Sequence, residues 1–182
     1  MYKAATLVAL LASPVAGIVS AVEVVREGAS GTIAIVLFED VAPALAARCA
    51  GLAAGGSYDG VVFHRVIEGF MAQTGDVQYG KNPSDLSQAG RGGSDEADLS
   101  AEFSELPFDR GVVGMARSQN PNSANSQFFI MFTEYPSLNG QYTVVGRVTE
   151  GLDVLEQIKL GKGRNGAVLG APDYMKSVTV TE

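Results

Sequence analysis

Apolar residues in this chain come in short runs broken by glycines and polar turns, a layout of strands more than of long helices. Residues 22–25 and 32–37 are rich in β-branched side chains and are split by Gly28 and Gly31, which predicts a hairpin. Residues 43–54 read PALAARCAGLAA and predict a helix. Pro43 suits its first turn, Asp40 stands where it can cap that turn, and Gly55-Gly56 ends it. Tyr58-Asp59-Gly60 turns the chain into a strand over 61–67, and Glu68-Gly69 turns it into another over 70–74. Residues 76–107 are polar and glycine-rich without periodicity, and a loop of that length in a compact domain is usually functional. Strands are predicted again over 112–115, 128–132 and 143–148, then a helix over 152–160 with its apolar residues on one face, then a closing strand over 175–180. With no internal repeat or linker, the sum is one mostly β domain, a closed antiparallel barrel with two helices at its ends.

Residues 2–21 form a separate object. Lys3 precedes an apolar run over 4–12, Ser13-Pro14 interrupt it, and Val19-Ser20-Ala21 offers small residues to a signal peptidase. This is the layout of a secretory signal peptide over 1–21, cut after Ala21, with 22–182 as the working domain. The expected location is therefore the periplasm or the exterior. The alternatives are a cytoplasmic protein with a buried N-terminal segment and an N-terminal membrane anchor, the latter weakened by Pro14, Gly17 and two serines.

Composition removes several function classes. A net charge of −7 argues against nucleic acid and anionic membrane surfaces, both of which are gripped through basic patches. A single cysteine, Cys49, excludes an intrachain disulfide and a cysteine zinc site, and a single histidine, His64, excludes His-rich metal sites. Cys49 lies in the Ala-rich helix and reads as a small core residue. Gly161-Lys162-Gly163-Arg164-Asn165-Gly166 has the spelling of a dinucleotide loop, but it follows a helix and opens none, so it reads as an ordinary loop. Residues 94–98 are acidic without calcium-loop spacing and read as a solvated loop.

The densest chemistry runs from Val62 to Asp76. On a regular strand Phe63, Arg65 and Ile67 share one face, with Val62, His64 and Val66 on the other. A guanidinium among Phe, Ile and Met side chains is unusual; the ordinary reading of a lone strand arginine is a snorkelling surface charge. His64 reads as a core-facing histidine bonded to backbone. A second stretch runs through Met115-Ala116-Arg117-Ser118 to Asn125-Ser126-Gln127-Phe128-Phe129-Ile130.

Together the two stretches resemble the cyclophilin family of peptidyl-prolyl cis–trans isomerases. The F-H-R-[VI]-I-x-G-F-M-x-Q-x-G-D signature is matched at Phe63 to Asp76, and the M-A-x … S-Q-F-F-I signature at Met115 to Ile130. The likeness covers nearly all of 22–182, includes Leu138-Asn139-Gly140, and its wording is closest to the bacterial branch. It implies a closed eight-stranded antiparallel barrel capped by two helices, with no cofactor and no metal. It implies a catalytic Arg65, a proline pocket of Phe70, Met71, Phe129 and Leu138, and a Gln73 that holds both the arginine and the peptide backbone. Gln127 is the second polar floor residue, and Ala116-Arg117-Ser118 pairs with substrate backbone. Arg117 stands where the family often has Asn. Tyr142 stands where many relatives have a pocket histidine, and Ser137 where many have a Trp; the chain has no Trp at all. Because that indole packs on the drug in sensitive members, weak cyclosporin-type inhibitor binding is expected. The implied partners are proline-containing segments of client proteins, bound by a monomer. Two other readings stay open here: a non-catalytic proline-peptide-binding module on the same barrel, and a carrier of a small apolar ligand with a closed internal cavity.

Overall fold

The computed structural model describes residues 19–26, 29–81 and 85–181. The apolar run expected to be a signal sequence thus lies almost wholly outside the described residues. Eight strands and two helices follow in order: β1 (Val19–Arg26), β2 (Ala29–Leu37), α1 (Pro43–Ala54), β3 (Arg65–Ile67), β4 (Met71–Thr74), β5 (Val112–Met115), β6 (Phe128–Met131), β7 (Val144–Glu150), α2 (Leu152–Glu156) and β8 (Tyr174–Thr181). Short 3-10 turns occupy Pro136–Leu138 and Arg164–Gly166. β1 starts at Val19, so Val19, Ser20 and Ala21 already pair with both β2 and β8.

All strands join one antiparallel sheet in the order β3-β4-β6-β5-β7-β2-β1-β8. The sheet curls but does not close, which corrects the expected closed barrel: β3 and β8 remain its edges. The reason lies in residues 61–64. They were expected to form one strand with 65–67, but they make only isolated pairings, Val62 with Tyr174 and Val61 with Lys81. The hydrogen bonds Phe63 N–H to Asp173 O (2.9 Å) and Met175 N–H to Val61 O (2.8 Å) span the gap without a continuous ladder.

This irregularity also breaks the expected alternation. Phe63 and Val66 both pack into the inner core, while Ile67 packs against the outer cluster, so Phe63 does not share a face with Arg65. In β6, Phe128 and Ile130 point inward while Phe129 and Met131 point outward, and Met71 and Ala72 of β4 divide likewise. In β7 the alternation slips where the pairing register shifts, so Val145 and Val148 both face inward. Strands buried on both faces read as continuous apolar runs, which is why 112–115 and 128–131 were legible.

Helix α1 seals the inner core with Leu45, Ala46, Cys49, Leu52 and Ala53. Its N-terminus is not capped by Asp40. The Glu102 carboxylate, reaching in from the long loop, accepts from Ala44 N–H (3.1 Å) and Leu45 N–H (2.9 Å). A carboxylate there satisfies free amides and complements the helix dipole. α2 is shorter than the 152–160 expected. After Glu156 the chain tightens, Ile158 N–H bonding Leu155 O, and Asp173 takes Lys159 N–H at 2.8 Å, turning the backbone away. The acidic loop 94–98 is anchored, not merely solvated: Glu96 pairs with Arg48 at 3.1 Å, and Asp98 accepts from Asn125 Nδ2 at 3.0 Å.

Candidate active site

Two depressions adjoin on the outer face. The smaller, about 110 Å³, is lined by Arg65, Phe70, Met71, Gln73, Ala116, Arg117, Phe129, Leu138 and Tyr142. That is a recess for one small ring, well below the size of a site that swallows a whole ligand. The larger, about 460 Å³, is bounded by Gln73, Gln127, Ala116, Arg117 and Ser118 on one side and by residues 90–94 on the other. Gln73, Ala116 and Arg117 belong to both. Every site residue that the resemblance singled out therefore lines one recess or both, although they come from four separate segments of the chain.

The apolar floor is built by packing under the sheet. Phe129 stacks on Phe108 at 5.7 Å between centroids and meets Tyr142 edge-on at 5.6 Å. Gly114 makes room for this stack, since a Cβ there would lie 2.5 Å from Phe129 and 2.6 Å from Phe108. Phe70 leans on Tyr135, with centroids 4.5 Å apart. Arg117 lies over Tyr142, its guanidinium carbon 4.4 Å from the ring centroid. Its Nη2 and Nε donate to Gln141 O at 2.7 and 3.2 Å, and its Nη1 to Ser118 O at 3.0 Å. The residue that departs from the family's usual Asn is thus tied down as part of the wall between the recesses.

A chain of hydrogen bonds crosses the floor. Arg65 Nε donates to Asn165 O (2.9 Å) and Arg65 Nη1 to Gln73 Oε1 (3.1 Å). Gln73 Nε2 donates to Gln127 Oε1 (3.0 Å), and Gln127 Nε2 to Gly92 O (2.8 Å). Each amide is thereby fixed in one orientation, and the arginine they hold lines the smaller recess. Partial burial lowers the Arg65 pKa from its ordinary value, opposed by Tyr142, yet a guanidinium stays cationic at neutral pH.

Asp76 builds the far wall. It is fully buried, and its carboxylate accepts from the amides of Gln78, Tyr79, Gly90 and Gly92 at 2.7–3.1 Å. Residues 90–93 are thereby held along the larger recess, but nothing local in the sequence connects Asp76 to residues fourteen and sixteen positions on. His64 packs against Gly90, where a Cβ would come within 2.9 Å of the ring. The expected backbone bond is absent: both ring nitrogens are buried without a partner among the described residues. Burial pushes the His64 pKa down to about 4, only partly offset by Asp76. Held neutral in this way, the ring sits here as an apolar filler. The carrier reading fails on the interior, where the void lined by core residues such as Val22, Tyr58 and Phe128 is only about 30 Å³. Among the described residues no cluster of His, Cys, Asp or Glu is arranged to hold a metal ion.

An arginine held from two sides stands at the rim of a ring-sized apolar recess, beside a longer polar groove. Comparison with known proteins gives the family. A family profile described as cyclophilin type peptidyl-prolyl cis-trans isomerase/CLD matches residues 21–180. The "Probable peptidyl-prolyl cis-trans isomerase" of Brucella suis is 56% identical over 153 residues, covering 82% of this chain and 78% of the relative. Peptidyl-prolyl cis-trans isomerase-like 3 of Mus musculus is 40% identical over 133 residues, covering 71% and 76%. Among solved structures, a cyclophilin from Hirschia baltica superposes with a TM-score of 0.71 at 27% identity, covering 88% of this chain and 73% of the other. A Cryptosporidium parvum cyclophilin-type isomerase, determined in the presence of the dipeptide Ala-Pro, gives 0.74 at 27% identity, covering 90% and 99%. The chain belongs to the cyclophilin-type peptidyl-prolyl cis–trans isomerases. It is an isomerase of X–Pro peptide bonds.

Proposed function

We propose that Arg65 is the catalytic residue and that it acts by stabilising a twisted prolyl amide. Resonance holds the X–Pro bond planar behind a barrier of roughly 18–20 kcal/mol, so uncatalysed exchange takes tens to hundreds of seconds. As the bond twists, the nitrogen lone pair leaves conjugation and becomes a hydrogen-bond acceptor. Phe70, Met71, Phe129 and Leu138 hold the ring, and the Nη2 donors of Arg65 face the nitrogen. The planar ground state offers that lone pair poorly, so the bond strengthens in the transition state and accelerates the step. No covalent bond breaks, so no nucleophile or cofactor takes part.

The peptide backbone is held beside the ring. Ala116 N–H is occupied by Gln127 O (2.9 Å) and Ser118 N–H by Ser123 Oγ (2.9 Å). Pairing with the peptide therefore runs through the Arg117 peptide unit, and the change from Asn to Arg leaves it intact. Gln73 keeps one amide hydrogen for the peptide while its oxygen holds Arg65. The residues flanking proline lie along the larger recess, between Gln127 and residues 90–94.

The observation that carries this reading is the arginine fixed from two sides at the mouth of the ring-sized recess. The test is exchange of a short Ala-Pro peptide followed by NMR, with the wild-type chain and Arg65→Ala. A charge-assisted hydrogen bond of ~2–3 kcal/mol corresponds to a loss of about 30- to 150-fold in kcat/KM. A folded Arg65→Ala with the wild-type rate overturns the mechanism. Peptide binding by the wild type without faster exchange turns the site into the non-catalytic module.

The same reading includes client proteins whose folding waits on proline isomerisation, a chaperone-like role carried out by a monomer. It includes export to the periplasm or beyond, supported by the Lys3, apolar run and Val19-Ser20-Ala21 pattern. It also includes weak binding of cyclosporin-type inhibitors, supported by exposed Ser137 at the edge of the ring recess beside Leu138.

A further inference from the structure

The loop 161–168, whose first six residues have the spelling of a dinucleotide loop, lies along the free edge of β3. Gly161 N–H donates to Val66 O (2.9 Å), Val168 N–H to His64 O (3.0 Å), and Ala167 pairs with Arg65. Within the loop, Gly163 N–H bonds Ala167 O (2.9 Å) and Gly166 N–H bonds Gly163 O (3.2 Å). Two glycines permit this approach. A Cβ on Gly161 would lie 1.8 Å from Gly166 O, and one on Gly166 2.3 Å from Ile67 Cγ1.

Between them, Asn165 is the one non-glycine residue with positive φ among those described, at φ 56 and ψ 28. Asn tolerates this left-handed region far better than most residues, and β-branched residues tolerate it worst. Its side chain is exposed, so the residue's importance lies in its backbone. The left-handed turn aims the Asn165 carbonyl at Arg65 Nε, 2.9 Å away. With Nε held there and Nη1 bonded to Gln73, rotation of the guanidinium about its stem is restrained, and Nη2 with the second Nη1 hydrogen remains for the substrate.

We propose that the 161–168 loop is the positioning element of the isomerase site and Asn165 its positioning residue, fixing the rotation of the Arg65 guanidinium through a left-handed backbone carbonyl. This rests on Arg65 being the catalytic group. The loop replaces a ninth strand at the sheet edge, and it does so where the arginine needs a second anchor.

The test pairs Asn165→Val with Asn165→Gly and repeats the first in an Arg65→Lys background, where no Nε–H exists to be held. Asn165→Val is expected to lower kcat about tenfold for the Ala-Pro peptide, with KM changed less than twofold. Asn165→Gly, which keeps positive φ and the carbonyl, is expected to recover most of that loss. In Arg65→Lys, adding Asn165→Val is expected to cost no further activity. The Arg65 Nε–H resonance in nitrogen-15 NMR is expected to lose its protection from solvent exchange in Asn165→Val and keep it in Asn165→Gly. If Asn165→Val does not fold, Asn165→Ala takes its place with the same expectations. An equal loss in the wild-type and Arg65→Lys backgrounds, or no loss where Arg65→Ala is impaired, overturns the positioning role. No loss in Arg65→Ala overturns the reading beneath it instead.

Discussion

The molecule carries two apolar clusters built from alternate residues of the same strands, and they differ in what they leave open. The inner one, including Val24, Ile33, Leu45, Phe63 and Met175, encloses a void of only about 30 Å³. The outer one, centred on Met71, Phe108, Phe129 and Met131, ends in partly buried Phe70, Leu138 and Tyr142 around a recess of about 110 Å³. Both are apolar because β4, β5, β6 and the first half of β7 are buried on both faces. The inner cluster stabilises the fold, and the outer one stops a single ring short of complete packing. A one-residue register slip in β6 would exchange Phe128 for Phe129 and carry the recess inside.

That contrast can be broken from either side. The largest effect is expected inside: Ile33→Ala removes a fully buried side chain and should cost about 2–5 kcal/mol in denaturant unfolding. The isomerase rate per folded molecule should stay at the wild-type value. Next comes the buried histidine packed against Gly90. In the folded state its pKa is about 4, against about 6.5 when unfolded, so the unfolded chain binds the extra proton between these values. Stability contributed by neutral His64 is present in full above pH 6.5 and lost as pH falls toward 4, on the order of 3 kcal/mol. Unfolding midpoints measured from pH 7 to 4.5 should fall more steeply for the wild type than for His64→Leu.

Outside, Leu138→Ala should reduce kcat/KM about tenfold, or ~1.4 kcal/mol, mainly through KM, with little change in unfolding. The smallest effect expected is a gain. Ser137→Trp would add an indole at the rim, and burying on the order of 50 Å² of it under a cyclosporin-type ring is worth ~1.3 kcal/mol, about tenfold in affinity. Titration calorimetry reads that gain, and peptide exchange should be unaltered because the step does not use residue 137.

The two clusters also differ in how far they could be read from the chain. Strands such as Val112–Met115 and Phe128–Met131 announce themselves as apolar runs, and α1 announces itself by Pro43 and Gly55-Gly56. The ring recess was legible because its lining residues fall in two local signatures plus Leu138 and Tyr142. What was not legible involves partners distant in sequence. Glu102 caps a helix 57 and 58 residues away, and Asn165 holds an arginine 100 residues away. Asp76 fixes the amides of Gly90 and Gly92 across a loop that has no periodicity to read. The break before β3, where one strand was expected, shows in the isolated pairings of Val61 with Lys81 and Val62 with Tyr174, and no local pattern announces such meetings.

The pairing of β1 with β8 also sets a clock for how the protein comes into being. Val19 lies against Thr181 and Val24 against Met175, so β1 meets its second neighbour only after about 150 further residues have been synthesised. At roughly 5–20 residues per second, β1 waits on the order of ten seconds or more with one edge bare. The hairpin with β2 can form early, but the sheet around it cannot be completed until β8 has emerged. During that interval β1 keeps one row of backbone donors and acceptors bare, open to any other extended segment that meets it first.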